Sequence, residues 1–547
     1  MVYRRSTGAL GRAQAPSVKS TSIPASVGGV NALDSLMAMP PQDCLFSYNL
    51  MPVEYGLRVR NGYEEWANGA VGDIRTVIGY ESDDTSLVND KLWGVTENGI
   101  YDMTVFGTTV PVQDVVFGVT GVDSGYGVTA AFDTDASDHY LFYADSRNGV
   151  YQYTEASGWT VPVGWTYEDP LNVGVQIPFP VEDVAFIMIH KLRIWVILES
   201  SSEAWYLPLY SIAGELKVFS FGSKLVRGGA LMGLYDWTLD GGDGVDDYLI
   251  GVGRAGDLVI YRGADPEASD WQQVGSWFIG TVPSSRRLAA QYGGELYVLS
   301  TFGITSVGDL LRGVDVSATN QSPSAKVNRF LRHDVEAGKD RHEWALYTYP
   351  ADGFLQIVTP EPNGSDFVQY NQNLTTKAWG FWRSVPAISA DTWNGAYYIG
   401  SKAGVLYEYT GDRDGRTLVG GLGDAIEFET LTSYSGLGSH GNYKLAGLVR
   451  TITISEGPFA YNTKVLYDYE LEPPEFTTDI LTGDTSPNLW DSAIWDAALW
   501  DYVREANSRV LGSLGMGRAI AVYLKGSTIG RLNVVGWDVM LTEGGLL

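Results

Sequence analysis

Short runs dominate the chain, in which apolar, β-branched and aromatic residues fill a strand-length stretch before a glycine breaks it. The best-formed unit is an apolar strand, a glycine turn and an aromatic strand. Copies fall at residues 92–101, 141–151, 248–261, 296–303, 345–355 and 397–407, with turns at Gly99, Gly149, Gly256, Gly303, Gly353 and Gly404. A seventh copy, at 193–206, carries Ser202 and Glu203 where the glycine is expected. Glycine supplies the positive backbone dihedral of a tight turn, and the flanking residues suit a pleated, half-buried surface, so each copy reads as a hairpin. The hairpins recur about every fifty residues, and a β-built period of that size marks a propeller, whose blades cannot bury a face alone. Seven copies predict six or seven blades across residues 73–420.

Further strand candidates lie between the hairpins, at 110–119, 129–132, 181–188 and 384–393, and Trp379-Gly-Phe-Trp382 reads as an aromatic strand between blades. Residues 1–22 hold Arg4, Arg5, Arg12 and Lys19 and no acid, and read as a flexible basic arm. In residues 23–72, Pro40 and Pro41 end any short helix begun at Asp34, and 57–60 followed by Asn61-Gly62 reads as a strand and a turn. Residues 421–547 form a second β region, with strands at 425–433 and 448–455 and two more closing the chain. Gly436-Leu-Gly-Ser-His-Gly441 matches a dinucleotide fingerprint in letters only. It lies between two strands where the fingerprint needs a strand and then a helix, so it reads as a hairpin loop.

Composition agrees with a folded β protein, since 65 Gly, 33 Tyr and 17 Trp accompany only 19% charged residues. A formal charge of −28 excludes a tight grip on nucleic-acid phosphates, because no basic surplus is present to release counterions. It fits either a self-repelling soluble surface or one along which a polyanion slides without sticking. Cys44 stands alone, so no intramolecular disulfide forms, and it reads as a small core residue. No run approaches the roughly 20 apolar residues of a membrane helix, and the basic N-terminus lacks the apolar stretch of a cleavable signal.

Candidate chemistry is sparse. His139, His190, His333, His342 and His440 have no metal-ligand spacing, and neither a nucleophile elbow nor a phosphate loop occurs. Asp240, Asp243 and Asp246 alternate with glycine as a hard cation would require, yet lack a closing glutamate, and a solvated hairpin tip explains them better. Trp490, Trp495 and Trp500, each followed by Asp, recur every five residues and suit core or interface packing better than a sugar platform. No catalytic, cofactor-binding or metal residue is assigned.

The N-terminal segment carries Gly28, Gly29 and Asn31, then Asp34, Leu36, Met39, Pro40, Pro41 and Asp43, then Asn49 and Pro52, then Leu57, Arg58, Gly62, Tyr63, Ala67 and Gly69. In that order these residues resemble the tail nozzle proteins of short-tailed phages, also called packaged-DNA-stabilising or tail tubular B-type proteins. The closing Glu543-Gly-Gly545 is similar to the end of many such chains. The resemblance implies a non-enzymatic virion component, assembled in the host cytoplasm into a closed ring, expected to be a homohexamer. It implies a β platform built from the N- and C-terminal regions beside the propeller. It also implies docking beneath a tail adaptor ring, tail fibres or spikes on the flank, and retention and later passage of DNA. A carbohydrate-binding or carbohydrate-active propeller and a cytoplasmic scaffold propeller are the rival expectations.

Overall fold

The structure is a computed structural model. It describes residues 18–543 apart from 83–87, 137, 241–244, 315–320, 361–367, 439–440, 473–504 and 514. Among the described residues the fold is a β-propeller of seven blades joined to a two-sheet β platform. Blade one runs Thr76–Tyr80, Lys91–Thr96, Gly99–Asp102 and Val112–Val116, each strand antiparallel to the one before. The innermost strands of blades two to seven are Val128–Asp133, Val184–His190, Leu231–Asp240, Ala289–Tyr292, Ala345–Tyr349 and Ser389–Trp393. A small extra sheet of Trp165–Glu168, Gln176–Pro178 and Gly214–Glu215 lies outside this series.

The hydrophobic cores lie between blades rather than within them. Trp93 and Val95 of blade one pack with Leu141, Tyr143 and Tyr153 of blade two. Phe142 and Val150 then meet Ile187 and Val196 of blade three. The series ends where Trp393, Tyr398 and Leu406 of blade seven pack on Val77, Leu92 and Tyr101 of blade one, which closes the ring. Blade seven takes its outermost strand from the N-terminal segment: Tyr63–Ala67 pairs antiparallel with Leu406–Glu408. One short strand therefore fastens the last blade to the first and leaves no long open edge.

Two hairpins depart from the sequence reading. In the degenerate copy the left-handed residue is Ser200, at φ 59°, rather than Ser202 or Glu203. The copy at 345–355 joins the first two strands of blade six, whereas the other copies join the second and third strands of theirs. The phase slips after blade five, which has three strands and then helices Val307–Leu311 and Asn328–Gly338 where a fourth strand would stand. The longer helix was not expected. Its signal is the helical spacing of Val327, Leu331 and Val335, all fully buried against blades four to six.

The platform is a sandwich made from both ends of the chain. One sheet pairs Asp43–Tyr48, Asp424–Thr432, Ile520–Thr528 and Phe459–Tyr467. The other pairs Lys444–Glu456 with Arg531–Glu543 and Glu505–Gly512, while Val18–Pro24 and Gly56–Val59 line the far side of Arg531–Glu543. Leu50, Leu57, Phe428, Val465, Val522, Trp537 and Val539 fill the space between them.

The basic arm ends earlier than expected, because Val18 to Ser22 already belong to a strand paired with the C-terminal one. Asp34 begins turns rather than a helix. The loop after Asp424–Thr432 crosses from one sheet of the sandwich to the other, so Gly436 to Gly441 is no hairpin, and strand Lys444–Glu456 follows where a nucleotide site needs a helix.

Candidate functional site

Two places gather polar side chains in unusual settings: the joint between propeller and platform, and the axial channel of the propeller. The joint is built on Arg60, at the end of strand Gly56–Val59, and Asn49, which precedes strand Leu50–Val53. Arg60 Nη1 and Nη2 donate to the two carboxylate oxygens of Asp414 at 2.7 and 2.6 Å, and its Nε donates to Asn49 Oδ1 at 3.0 Å. The Arg60 side chain is wholly buried, so this charge is stable only because both forks are filled. Asn49, at φ 58°, also accepts from the Arg383 N–H of blade six and donates to the Glu427 carbonyl of the platform at 2.7 Å. One asparagine thus ties a blade to the sandwich, and its short polar side chain tolerates the left-handed backbone.

Neighbouring residues complete the joint. Lys326 Nζ donates to Asp43 Oδ1 at 2.8 Å and to the Gly28 carbonyl at 3.0 Å, while Asn31 Nδ2 donates to Asp43 Oδ2 at 2.6 Å. A Cβ on Gly62 would stand 1.9 Å from the Arg413 carbonyl oxygen, so only glycine fits there. Gly28, Asn31, Asp43, Asn49 and Gly62, conspicuous in the sequence, are therefore brought together as a structural seam. Arg60 was not singled out, and its one sequence signal is that it alternates with Arg58, which pairs with Asp352 at 2.6 Å.

The axial channel holds a cavity of about 470 Å³ lined by residues of the inner strands and the segments leading into them, among them Tyr235, Asp236, Arg286, Arg287, Tyr347 and Asp391. A second cavity of about 240 Å³ lies at one mouth, lined by Asp73, Arg75, Tyr126, Arg341, Glu343 and Lys402. Most charges here have partners. Arg286 pairs with Glu199 at 2.8 Å and donates to the Leu231 and Met232 carbonyls. Asp236 is held by His190 Nδ1 at 2.5 Å. Asp391 accepts from the N–H groups of Gly79 and Thr392, yet burial outweighs them and raises its carboxyl to about 6. Arg287 is the exception, with its Nε and Nη2 buried and unpaired.

Of the candidate metal loop, 241–244 lies outside the described residues, and the strands on either side pair Asp240 with Val245 as a hairpin. Its neighbour Asp247 is ion-paired with Lys191. Among the described residues no three His, Cys, Asp or Glu side chains are grouped to hold a metal ion. Trp490, Trp495 and Trp500 lie outside the described residues. Cys44 is fully buried, and burial pushes its thiol well above the usual range, which leaves it unreactive.

No family model matches the sequence, and no curated protein matches it either. Among solved structures, the WD40 β-propeller domain of Doa1 is 12% identical, with 64% of this chain and 97% of that chain covered and a TM-score of 0.35. The Mitotic Checkpoint Complex gives a match of 12% identity over 69% of this chain and 97% of that chain, at 0.36. The Cps50 (Swd1) β-propeller domain of Myceliophteria thermophila is 12% identical over 64% and 98%, at 0.32. The overlaps are loose, and the propeller assignment stands on this chain's own blades. No helix among the described residues is long and apolar enough to cross a membrane.

Proposed function

We propose that this chain is the structural subunit of a phage tail nozzle, assembled through its platform into a closed ring that retains packaged DNA and passes it during ejection. The observation that carries the ring is the outward face of the platform sheet. Along Lys444–Glu456 the inward positions include Thr451, Thr453 and Ser455, whereas Leu445, Leu448, Ile452 and Ile454 point the other way. Leu448 is paired with Met540, Leu445 with Met516, and Arg450 with Val510, so exposed apolar side chains on four strands gather around the Arg450–Asp538 ion pair. A sheet that places threonine inside and leucine outside is shaped to be covered on its outer face, and exposed apolar side chains rimming an ion pair suit an interaction site.

A homohexamer beneath an adaptor ring, with fibres or spikes on its flank, is the assembly that the N-terminal resemblance supplies. A surplus of 65 acidic over 37 basic residues suits a lumen that DNA crosses without counterion-releasing contacts. The propeller gives such a part a body with short, protected edges. The test is the mass of the purified chain by light scattering beside Leu448→Glu and Met540→Glu. The reading expects a ring for the wild type and monomers for both variants with unchanged circular dichroism. Rings of equal mass in all three proteins would remove the platform face from the assembly.

A further inference from the structure

Arg287 leads into the innermost strand of blade five, is 8% exposed, and lines the axial cavity. Its Nη1 donates to the Arg75 carbonyl at 2.8 Å and to the Tyr347 hydroxyl at 2.9 Å. Its Nε and Nη2 are buried and have no hydrogen-bond partner. No described carboxylate pairs with it: Asp236 is engaged by His190, Asp391 by two backbone N–H groups, and Glu343 by Arg341. A guanidinium does not lose its proton in a protein, so this is a fixed positive charge out of water with one edge unpaired. The unpaired edge is itself informative. Nε–H and Nη2–H are parallel donors, the fork that takes both oxygens of a carboxylate at once.

The surroundings hold that fork in place. The Arg287 and Arg75 guanidinium groups lie 5.3 and 5.2 Å from the centre of the same Tyr126 ring, and Arg75 Nε is also buried without a partner. Beside Arg287 the channel wall is made of small and apolar residues, including Ala130, Ala289, Ile187 and Leu346. A cavity of about 470 Å³ is large enough for a small organic acid or an acidic side chain carried in on a loop.

We infer that the axial channel is a carboxylate-binding site, in which the Nε and Nη2 edge of Arg287 clasps the two oxygens of a carboxylate. The acid is either a free small molecule or the side chain of an inserted acidic peptide. This site is independent of the nozzle reading, since it needs only the propeller.

Equilibrium dialysis of the full chain against labelled succinate, and separately against acetyl-Gly-Glu-Gly-amide, tests it. Saturable uptake of about one molecule per chain, half-complete at about 1 mM or below, is expected for at least one probe. The probe that binds identifies the source of the acid. Arg287→Lys keeps the charge but lacks the fork and should weaken uptake at least about tenfold, and Arg287→Met should abolish it. Arg312→Gln, on an exposed residue that follows helix Val307–Leu311, should leave uptake unchanged. Absence of saturable uptake of both probes by the wild type up to about 10 mM, or undiminished uptake by Arg287→Lys, overturns the site. The wild-type and lysine results decide the matter even if the methionine variant does not fold.

Discussion

The propeller and the platform are both made of antiparallel β-structure, yet they are assembled from the chain in opposite ways. Within a blade the strands are mostly consecutive, so each pairing closes a short loop. In the platform, Val18–Pro24 pairs with the strand at the other end of the chain, Ile23 lying opposite Trp537. Loop-closure entropy must be met before such a pairing returns anything, so blades are able to form locally whereas the platform must wait for both ends. The difference directs attention to the seam, where Arg60, Asn49 and Asp414 lock the platform to the blades.

The largest test of this comparison cuts the seam. Arg60→Met leaves Asp414 buried without its cation and should destabilise the protein by about 3–5 kcal/mol in denaturant unfolding. Adding Asp414→Leu should recover most of the loss, since the apolar pair leaves no charge unmatched. Full loss in the double variant would mean that the seam depends on shape rather than charge. A finer contrast uses two glycines. Gly62→Ala drives a Cβ into the Arg413 backbone and should cost about 2–3 kcal/mol. Gly353→Ala, at a blade turn with φ 68° and open space around it, should cost only about 1 kcal/mol of backbone strain. Equal costs would erase the distinction between seam and blade.

A titration probes the propeller channel by itself. Burial in the channel raises the Asp391 carboxyl from 3.8 to about 6, so between these values the native state holds more protons than the unfolded chain. Stability due to this group therefore falls as pH rises from about 4 to about 6, and is fully present below that window. Asp391→Asn should flatten that part of the stability–pH curve. The smallest expected change in stability is that of Leu448→Glu on the outer platform face, within about 0.5 kcal/mol, although it should break the assembly.

The propeller was legible in the sequence because its repeat is local: Gly99, Gly149, Gly256, Gly303, Gly353 and Gly404 all adopt positive φ in the structure. The seventh blade closes with Tyr63–Ala67, a pairing across more than three hundred residues that no local pattern records. Helix Asn328–Gly338 escaped because a β period was imposed across it, although Val327, Leu331 and Val335 carry the helical spacing. The seam was half legible. Gly28, Asn31, Asp43, Asn49 and Gly62 stood out, but that their common role is to join two units required the partners Lys326, Arg383, Asp414 and Glu427 from far along the chain. Arg287 was invisible for the same reason, because its significance lies in the partners that its free edge lacks.

Negative-stain imaging of the purified wild-type chain, alone and mixed with a tail adaptor ring, tests the central claim most directly. The account predicts closed rings of about six subunits around a hole wide enough for duplex DNA, with the platforms in mutual contact and the propellers outermost. Single discs with one appended lobe, unchanged by the adaptor ring at any concentration, would contradict it.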